Sequence, residues 1–198
     1  MPKIYDNIEH QFLKGLNETL ELSTHADFCI GYFNLRGWKE IAEKIDNFVG
    51  LSINEDDQIM LRFCRILVGM QNLPIDILRE NFLPEENRII DNAEASKLKK
   101  KLAQEFKDQL TVGTPSEVDE KALRKLSIQM KENKVIVKLH LSYQLHAKLY
   151  ITYSNDKRVP IIGFLGSSNL TLAGLSKQGE LNIDVLEQDA ALKLSKWF

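Results

Sequence analysis

Apolar residues recur along the chain with two different periods, and these periods predict an α/β fold. Between residues 8 and 23 the apolar side chains recur every three or four positions, which predicts an amphipathic helix. Residues 26–33 and 59–68 are short, continuous apolar runs, which is typical of strands that are buried on both faces. A helical pattern from Trp38 to Phe48 separates these runs. The order strand, helix, strand predicts a right-handed crossover and a parallel strand pair.

The middle of the chain, residues 74–133, lacks strand patterning and is predicted to be a helical insertion. Two apolar stripes at helical spacing flank Thr114-Pro115-Ser116, and Ser116 is expected to cap the second helix. Residues 96–138 contain eleven basic and six acidic side chains. Because charge runs are usually solvated helix faces, we interpret the excess first as such a face. The alternative is an electrostatic platform for nucleic acid.

The last third of the chain returns to strand patterning. Strands are predicted at 134–141, 145–153, 159–165 and 180–186, with a helix from residue 190 onwards. The predicted fold is a mixed, largely parallel sheet with helices on both faces, in one domain over residues 1–198. Its core is expected at about 1–70 and 134–198. The chain is expected to be the N-terminal part of a longer protein.

Composition and charge limit the classes of protein to which the chain can belong. The 198 residues are 43% hydrophobic and carry a formal charge of −2, which indicates a soluble globular protein and excludes a globally basic one. The only cysteines, Cys29 and Cys64, lie far apart in apolar runs, so a disulfide framework is excluded and a cysteine zinc site is disfavoured. No signal-peptide pattern or membrane-spanning run is present, and a cytoplasmic location without membrane contact is expected.

The first candidate for chemistry is the segment His146-Ala147-Lys148-Leu149-Tyr150. In a strand, His146, Lys148 and Tyr150 would project from the same face. A lysine fixes positive charge, and a histidine can act as nucleophile or acid–base near neutral pH, so an anion site is one interpretation. A solvent-facing strand edge is the other, since the pattern alone has low specificity.

Two further elements follow along the chain. Gly166-Ser167-Ser168-Asn169 offers small residues, hydroxyls, an amide and backbone N–H groups, which suit a phosphate oxygen. A strand-to-helix turn capped by Asn169 or Thr171 explains the same residues without a ligand. Glu180 follows this loop, and a carboxylate there either orients a histidine or lies on the surface.

Together these elements resemble the motifs of the phospholipase D superfamily, in particular its nuclease-like branch. His146-x-Lys148 is similar to the HxK of the family, Gly166 to Asn169 to its GSxN, and Glu180 to its downstream glutamate. The resemblance covers roughly residues 1–70 and 134–198. The chain departs from the HxKxxxxD pattern at Tyr153, where the family has an aspartate, and Asp156 does not take over that role. This departure weakens the expectation of activity.

The resemblance implies a nuclease that hydrolyses DNA through a phosphohistidine, without a metal or other cofactor. It implies His146 as the nucleophile, Glu180 as its orienting partner, and these phosphate ligands: Lys148, Asn169, and Ser167 or Ser168. A second histidine must protonate the leaving oxygen. Since the chain has one HxK, a homodimer is expected. The resemblance also implies a restriction-type or helicase-linked protein, with a helicase domain downstream.

Two alternatives differ in class from a nuclease. A domain of this kind that has lost turnover would bind nucleic acid without cleaving it. A phospholipase acting on lipids ranks last, because the chain has one HxK and no amphipathic membrane segment. The choice between DNA and RNA, and the strandedness of the substrate, stay open.

Overall fold

The computed structural model describes residues 2–48, 50–53, 59–69, 116–140 and 145–198, together with separate residues between 93 and 110. The strands in this part of the chain are β1 (Ile4–Tyr5), β2 (Ser23–Ile30), β3 (Gly50–Ile53), β4 (Ile59–Arg62), β5 (Cys64–Gly69), β6 (Val135–His140), β7 (Leu149–Ser154), β8 (Ile161–Gly166) and β9 (Asn182–Val185). The helices are α1 (Phe12–Glu21), α2 (Leu35–Lys39), α3 (Ala42–Asp46), α4 (Glu117–Lys131) and α5 (Gln188–Trp197), and a π-helical turn covers Ala173–Lys177.

The main sheet has seven strands in the order β1-β9-β8-β7-β2-β5-β6, and β3 pairs with β4 in a separate two-stranded sheet. The mixed α/β architecture with helices is therefore as predicted. Parallel pairing is confined to β2-β5 and β5-β6, while the other four pairs are antiparallel, so the sheet is less parallel than expected. For β7 and β8 the reason is the short turn that joins them, since short connections produce antiparallel neighbours.

The two faces of the main sheet bury cores of different size. The larger core lies under the first four helices and includes Phe12 of α1, Trp38 of α2 and Leu126 of α4. The indole of Trp38 donates to Oε1 of the buried Gln129 at 3.0 Å, which joins α2 to α4. The smaller core packs against α5 and contains Cys29 and three further residues: Leu145, Leu149 and Ile151. Both cysteines are free and buried.

The structure corrects two predicted elements. The run 59–68 is not one strand: it is interrupted at Phe63, whose carbonyl accepts from Ala26 N at 3.2 Å, and the chain there passes from the small sheet into the main one. The helix predicted over Trp38 to Phe48 is instead two short helices, α2 and α3. Apolar patterning records burial, and the apolar side chains of both elements whose burial the structure describes are buried or half-buried.

Part of the predicted helical middle is described. Ser116 caps α4, since its Oγ accepts from Asp119 N at 3.2 Å, as predicted. The other apolar stripe and most of 74–115 lie outside the described residues. Two of the four basic side chains on α4 form ion pairs, Arg124 with Glu120 and Lys125 with Asp46. This supports the interpretation as a solvated, paired face for the part of the basic segment that is described.

None of the described helices combines the length and the hydropathy that crossing a bilayer requires.

Candidate active site

The ends of four strands bring the candidate residues to one edge of the main sheet. Strand β2 ends at this edge, and because β7 is antiparallel to β2 it begins there. By the same alternation β8 ends and β9 begins at this edge. Lys148 therefore precedes β7, Asn169 follows β8 and Glu180 precedes β9 at a common place. Open α/β sheets usually bind ligands in a crevice outside such strand ends.

The segment that carries His146 and Lys148 is anchored by apolar neighbours. Leu145 and Leu149 are buried in the core under α5, while His146 between them is exposed. A Cβ atom on Gly69 would lie 2.1 Å from the Leu145 carbonyl oxygen, so only glycine permits this close approach. The Nζ of Lys148 donates to the carbonyl oxygen of His146 at 2.8 Å, which fixes the two residues relative to each other.

Lys148 and Asn169 meet over Gly31, the first residue after β2. A Cβ atom on Gly31 would lie 3.4 Å from Oδ1 of Asn169 and 3.6 Å from Nζ of Lys148. The ammonium and the amide group therefore occupy one small volume, although the two residues come from different strand ends. A fixed positive charge beside an amide is an arrangement that suits a phosphate oxygen.

Hydrogen bonds define the orientation of the Asn169 amide. Its Oδ1 accepts from Gly31 N at 3.1 Å and from Tyr32 N at 2.9 Å. Since both partners are donors, Oδ1 must be the oxygen, and Nδ2 is the donor end of the group. Among the described residues Nδ2 has no acceptor, so it can donate to a bound anion.

Ser167 and Glu180 form a second pair at the same edge. The Ser167 hydroxyl donates to Oε2 of Glu180 and accepts from Leu181 N at 3.0 Å. The backbone of Ser167 also donates to Leu181 O at 3.1 Å, so the end of β8 is joined to the chain that enters β9. Glu180 thus contacts Ser167, where the sequence predicted a contact with His146. Within the described part of the chain the His146 imidazole has no hydrogen-bond partner.

The pKa values around Lys148 follow from burial. Burial raises the pKa of the Cys29 thiol to about 11, against the opposing effect of the nearby Lys148 ammonium. Burial, followed by the negative charge of Glu180, raises the pKa of Tyr150 well above its usual value. Both groups are neutral at physiological pH, so neither thiolate nor phenolate is available as a nucleophile here.

A cavity of about 450 Å³ opens beside the site. Its lining includes Tyr32, Arg36, Asn169, Thr171, Lys177 and Glu180. Two of these residues, Asn169 and Glu180, belong to the candidate site, so the cavity continues from it. No group of three or more His, Cys, Asp or Glu side chains in the described ranges is arranged to bind a metal ion.

No protein-family model and no curated protein matches the sequence. Among solved structures, NucT from Helicobacter pylori matches 100% of this chain over 92% of its own, with 13% identity and a TM-score of 0.50. The fold is therefore similar to that of NucT, and it is consistent with the phospholipase D-like fold that the sequence motifs imply. Nuc from Salmonella typhimurium, described as a phospholipase D family member, matches 100% of this chain over 91% of its own, with 10% identity and a TM-score of 0.49.

Ser168 has a structural role in this fold. It is fully buried, and its Oγ donates to Gly174 O and accepts from Asn182 Nδ2, both at 2.8 Å. Its carbonyl accepts from the hydroxyl of the buried Tyr150 at 2.9 Å. Both capacities of the hydroxyl are occupied, so the Ser168 side chain is not available to a phosphate in this structure.

The prediction that Tyr150 projects from the same strand face as His146 and Lys148 is wrong. Strand β7 begins at Leu149, so His146 and Lys148 lie before it and share no strand face with Tyr150. The Tyr150 ring packs in the larger core, 5.1 Å from the ring of Phe12 and 5.0 Å from that of Phe28. Lys148 reaches the site because the approach to β7 curves over the sheet edge, which a period of two does not describe.

The position where the phospholipase D pattern has an aspartate contacts a carboxylate from another strand. The Tyr153 hydroxyl donates to Oδ2 of Asp27 at 2.8 Å, and Asp27 is buried on β2. Arg65 donates from Nε to the other Asp27 oxygen at 2.6 Å. Sequence reasoning missed this network, although an aspartate inside the apolar run 26–33 was a signal, since buried charges are almost always paired.

Proposed function

We propose that the chain is a phosphodiesterase that hydrolyses nucleic acid, with DNA as the expected substrate and His146 as the nucleophile. One observation carries this proposal: Nζ of Lys148 and the Asn169 amide converge on Gly31, beside the exposed His146. This constellation supplies a nucleophile, a fixed cation and a neutral donor around one point, as phosphoryl transfer requires. The restriction-type or helicase-linked setting stays a prediction of the sequence resemblance.

The proposed reaction has two steps. A ring nitrogen of His146 attacks phosphorus, a P–N bond forms, and the bond to the leaving ester oxygen breaks as a second histidine protonates that oxygen. Water then attacks the phosphohistidine, the second histidine takes its proton, and the P–N bond breaks. The products are an alcohol and a phosphate monoester, and no electrons are exchanged.

Lys148 and Asn169 are the proposed ligands of the non-bridging oxygens. The Lys148 ammonium and Nδ2 of Asn169 would stabilise the negative charge that builds up on these oxygens in the transition state. Ser167 contributes only if its single O–H turns away from Glu180. We therefore propose Glu180 as a positioning residue for the Ser167 loop, with a contact to His146 reserved for the substrate complex.

We propose a homodimer as the source of the second histidine. Ile4, Ile183 and Leu165 are cross-strand neighbours on β1, β9 and β8. Their side chains are 53%, 38% and 45% exposed, so an apolar row lies uncovered beside the Ser167–Glu180 pair. A second copy seated on this row around a two-fold axis would bring two His146 residues towards each other.

Plasmid nicking in EDTA tests the proposed hydrolysis. Wild type is expected to nick, while His146→Ala and Lys148→Met should lose at least about a hundredfold in rate. Matched controls are His10→Ala, an exposed histidine before α1, and Lys157→Met in the β7–β8 turn at the opposite edge of the sheet. Nicking that disappears in EDTA, or that survives His146→Ala, would overturn the phosphohistidine route.

A binding module without turnover is the second candidate. Tyr153 favours it, because the family pattern has an aspartate at this position. Such a module would bind nucleic acid with a steep dependence on salt and would show no nicking at any enzyme concentration. The same assay therefore separates the two candidates.

A further inference from the structure

The cavity beside the candidate site contains an aromatic side chain that the proposed chemistry does not use. Tyr32 lies two residues after the end of β2 and lines this cavity together with Asn169. Its ring is half-buried, and in the described part of the chain it contacts no other aromatic ring. An aromatic face beside a phosphate site is a surface on which a base can stack.

The backbone of Tyr32 is fixed to the site. Its N–H donates to Oδ1 of Asn169 at 2.9 Å, and its carbonyl accepts from Leu170 N at 3.2 Å. The next residue, Phe33, forms a parallel bridge with Leu170. The aromatic side chain therefore starts from a backbone position that is defined relative to the proposed phosphate ligands.

Basic side chains also line the cavity. Lys177, at the end of the π-helical turn, is exposed and makes no ion pair in the described ranges. Arg36 also lines the cavity, and its Nε lies 3.7 Å from a carboxylate oxygen of Asp119. The cavity thus combines an aromatic face, on which a base can stack, with basic side chains that can bind the phosphate of a polynucleotide strand.

We infer that this cavity binds one unpaired nucleotide next to the scissile phosphate, with its base on Tyr32 and its following phosphate on Lys177. This inference rests on the proposed function, because Lys148 and Asn169 define where the scissile phosphate lies. A base that is paired in a duplex has its faces covered by its neighbours, so it cannot enter a cavity of about 450 Å³ and stack on a ring. The substrate is therefore a single-stranded polynucleotide or an unpaired stretch of a longer one, such as the stretches that open in a negatively supercoiled plasmid.

Equilibrium binding tests this inference without turnover. The full chain carrying His146→Ala is titrated with fluorescein-labelled oligothymidylate, oligouridylate and a DNA duplex of equal length, and anisotropy is followed at several salt concentrations. Single strands are expected to bind at least about tenfold more tightly than the duplex. The thymidylate and uridylate arms show whether the strand is DNA or RNA, and tight binding of either one supports the inference.

Variants of two residues locate the nucleotide. Tyr32→Ala should weaken single-strand binding about tenfold, while Tyr32→Phe keeps the ring and should bind as the parent does. Lys177→Gln should lower the salt slope by about one unit, and the control Lys157→Gln should leave it unchanged. An abasic site at one position of the strand should weaken binding to the parent and have no further effect on Tyr32→Ala.

Equal affinity for duplex and single strand, or a Tyr32→Ala variant that binds as the parent does, would overturn the inference. These experiments distinguish a failure of the nucleotide-site inference from a failure of the proposed hydrolysis. A wild-type chain that never nicks, but binds single strands through Tyr32, would refute the hydrolysis and support the nucleotide site. A wild-type chain that nicks fully paired duplex DNA, with a Tyr32→Ala variant that is equally active, would support the hydrolysis and refute the nucleotide site.

Discussion

Nζ of Lys148 and Oδ1 of Asn169 both lie within 3.6 Å of the point where a Cβ atom on Gly31 would be. We therefore expect Gly31→Ala to place a methyl group between the two proposed phosphate ligands. Nicking should fall about tenfold or more, because small displacements of positioning groups are costly to phosphoryl transfer. Stability should change by less than about 1 kcal/mol, since the new contacts are close to ordinary van der Waals separations. Nicking rates and urea denaturation measure the two effects.

The control for this variant is Gly179→Ala. A Cβ atom on Gly179 would meet no atom within 4 Å, so this variant should match wild type in both measurements. A Gly31→Ala variant with full activity would show that the space above Gly31 is not used by the substrate.

Ser168→Ala should destabilise the fold by about 1–3 kcal/mol, because the buried groups that bond to its hydroxyl would lose their partner. These groups are Gly174 O and Asn182 Nδ2. The free energy of unfolding in urea measures the loss. Ser176→Ala serves as the comparison, since its hydroxyl bonds only to Leu172 O within a helical turn and is half-buried. Equal stability of the two variants would contradict the structural role of Ser168.

Restoring the aspartate of the family pattern with Tyr153→Asp should not raise activity. It would bring a second carboxylate close to the buried Asp27 and remove the ring that stacks on His25 at 3.9 Å. We expect a loss of roughly 3 kcal/mol in stability, since like charges at a buried site are strongly unfavourable. Tyr153→Phe keeps the ring and should lose about 1–2 kcal/mol. Thermal unfolding of both variants, followed with the nicking rate, checks this order.

His25 should make the stability depend on pH. Burial lowers the pKa of His25 in the folded protein below its ordinary value of 6.5, although Asp27 opposes the shift. The unfolded chain then binds the proton more tightly, so stability rises with pH through this range and is lost as the pH falls below about 6.5. His25→Phe retains a ring against Tyr153 and should flatten the Tm profile between about pH 5.5 and 7.5. An unchanged profile would rule out His25 as the titrating group.

Leu165→Glu should prevent the proposed homodimer and abolish nicking while the fold is kept. A charge in the apolar row of Ile4, Ile183 and Leu165 would be buried without a partner in the dimer. Light scattering gives the oligomeric state, and circular dichroism checks the fold. Ile128→Glu on α4, an equally exposed apolar position in the opposite layer, should remain dimeric and active. A wild-type chain that nicks as a monomer would refute the need for a second copy.

The sequence was sufficient where one local pattern decides the structure. The strand patterning at 134–141 predicted β6, the patterns at 145–153 and 159–165 predicted β7 and β8, and Ser116 predicted the start of α4. In each case hydrophobic period and turn chemistry act over a few neighbouring residues, and tertiary contacts do not oppose them.

The contacts within the candidate site could not be predicted from the sequence, because they join distant parts of the chain. The motif spacing indicated His146, Lys148, Asn169 and Glu180, and the fold brings their backbone positions to one edge. The motif spacing could not indicate that the Ser168 hydroxyl is already hydrogen-bonded to Gly174 O and Asn182 Nδ2. The interruption at Phe63 was equally hidden, because an apolar run has the same composition whether it stays in one sheet or changes sheets.

The hydrogen bonds from Gly31 and Tyr32 to Asn169 connect residues 138 and 137 positions apart. A ribosome must therefore synthesise most of this domain before the proposed phosphate ligands can come together. A chain that ends before Asn169 already contains β5 and β7, the two neighbours of β2, but it lacks one of the two proposed phosphate ligands. If the proposed function holds, hydrolysis can therefore begin only when synthesis of the domain is nearly complete.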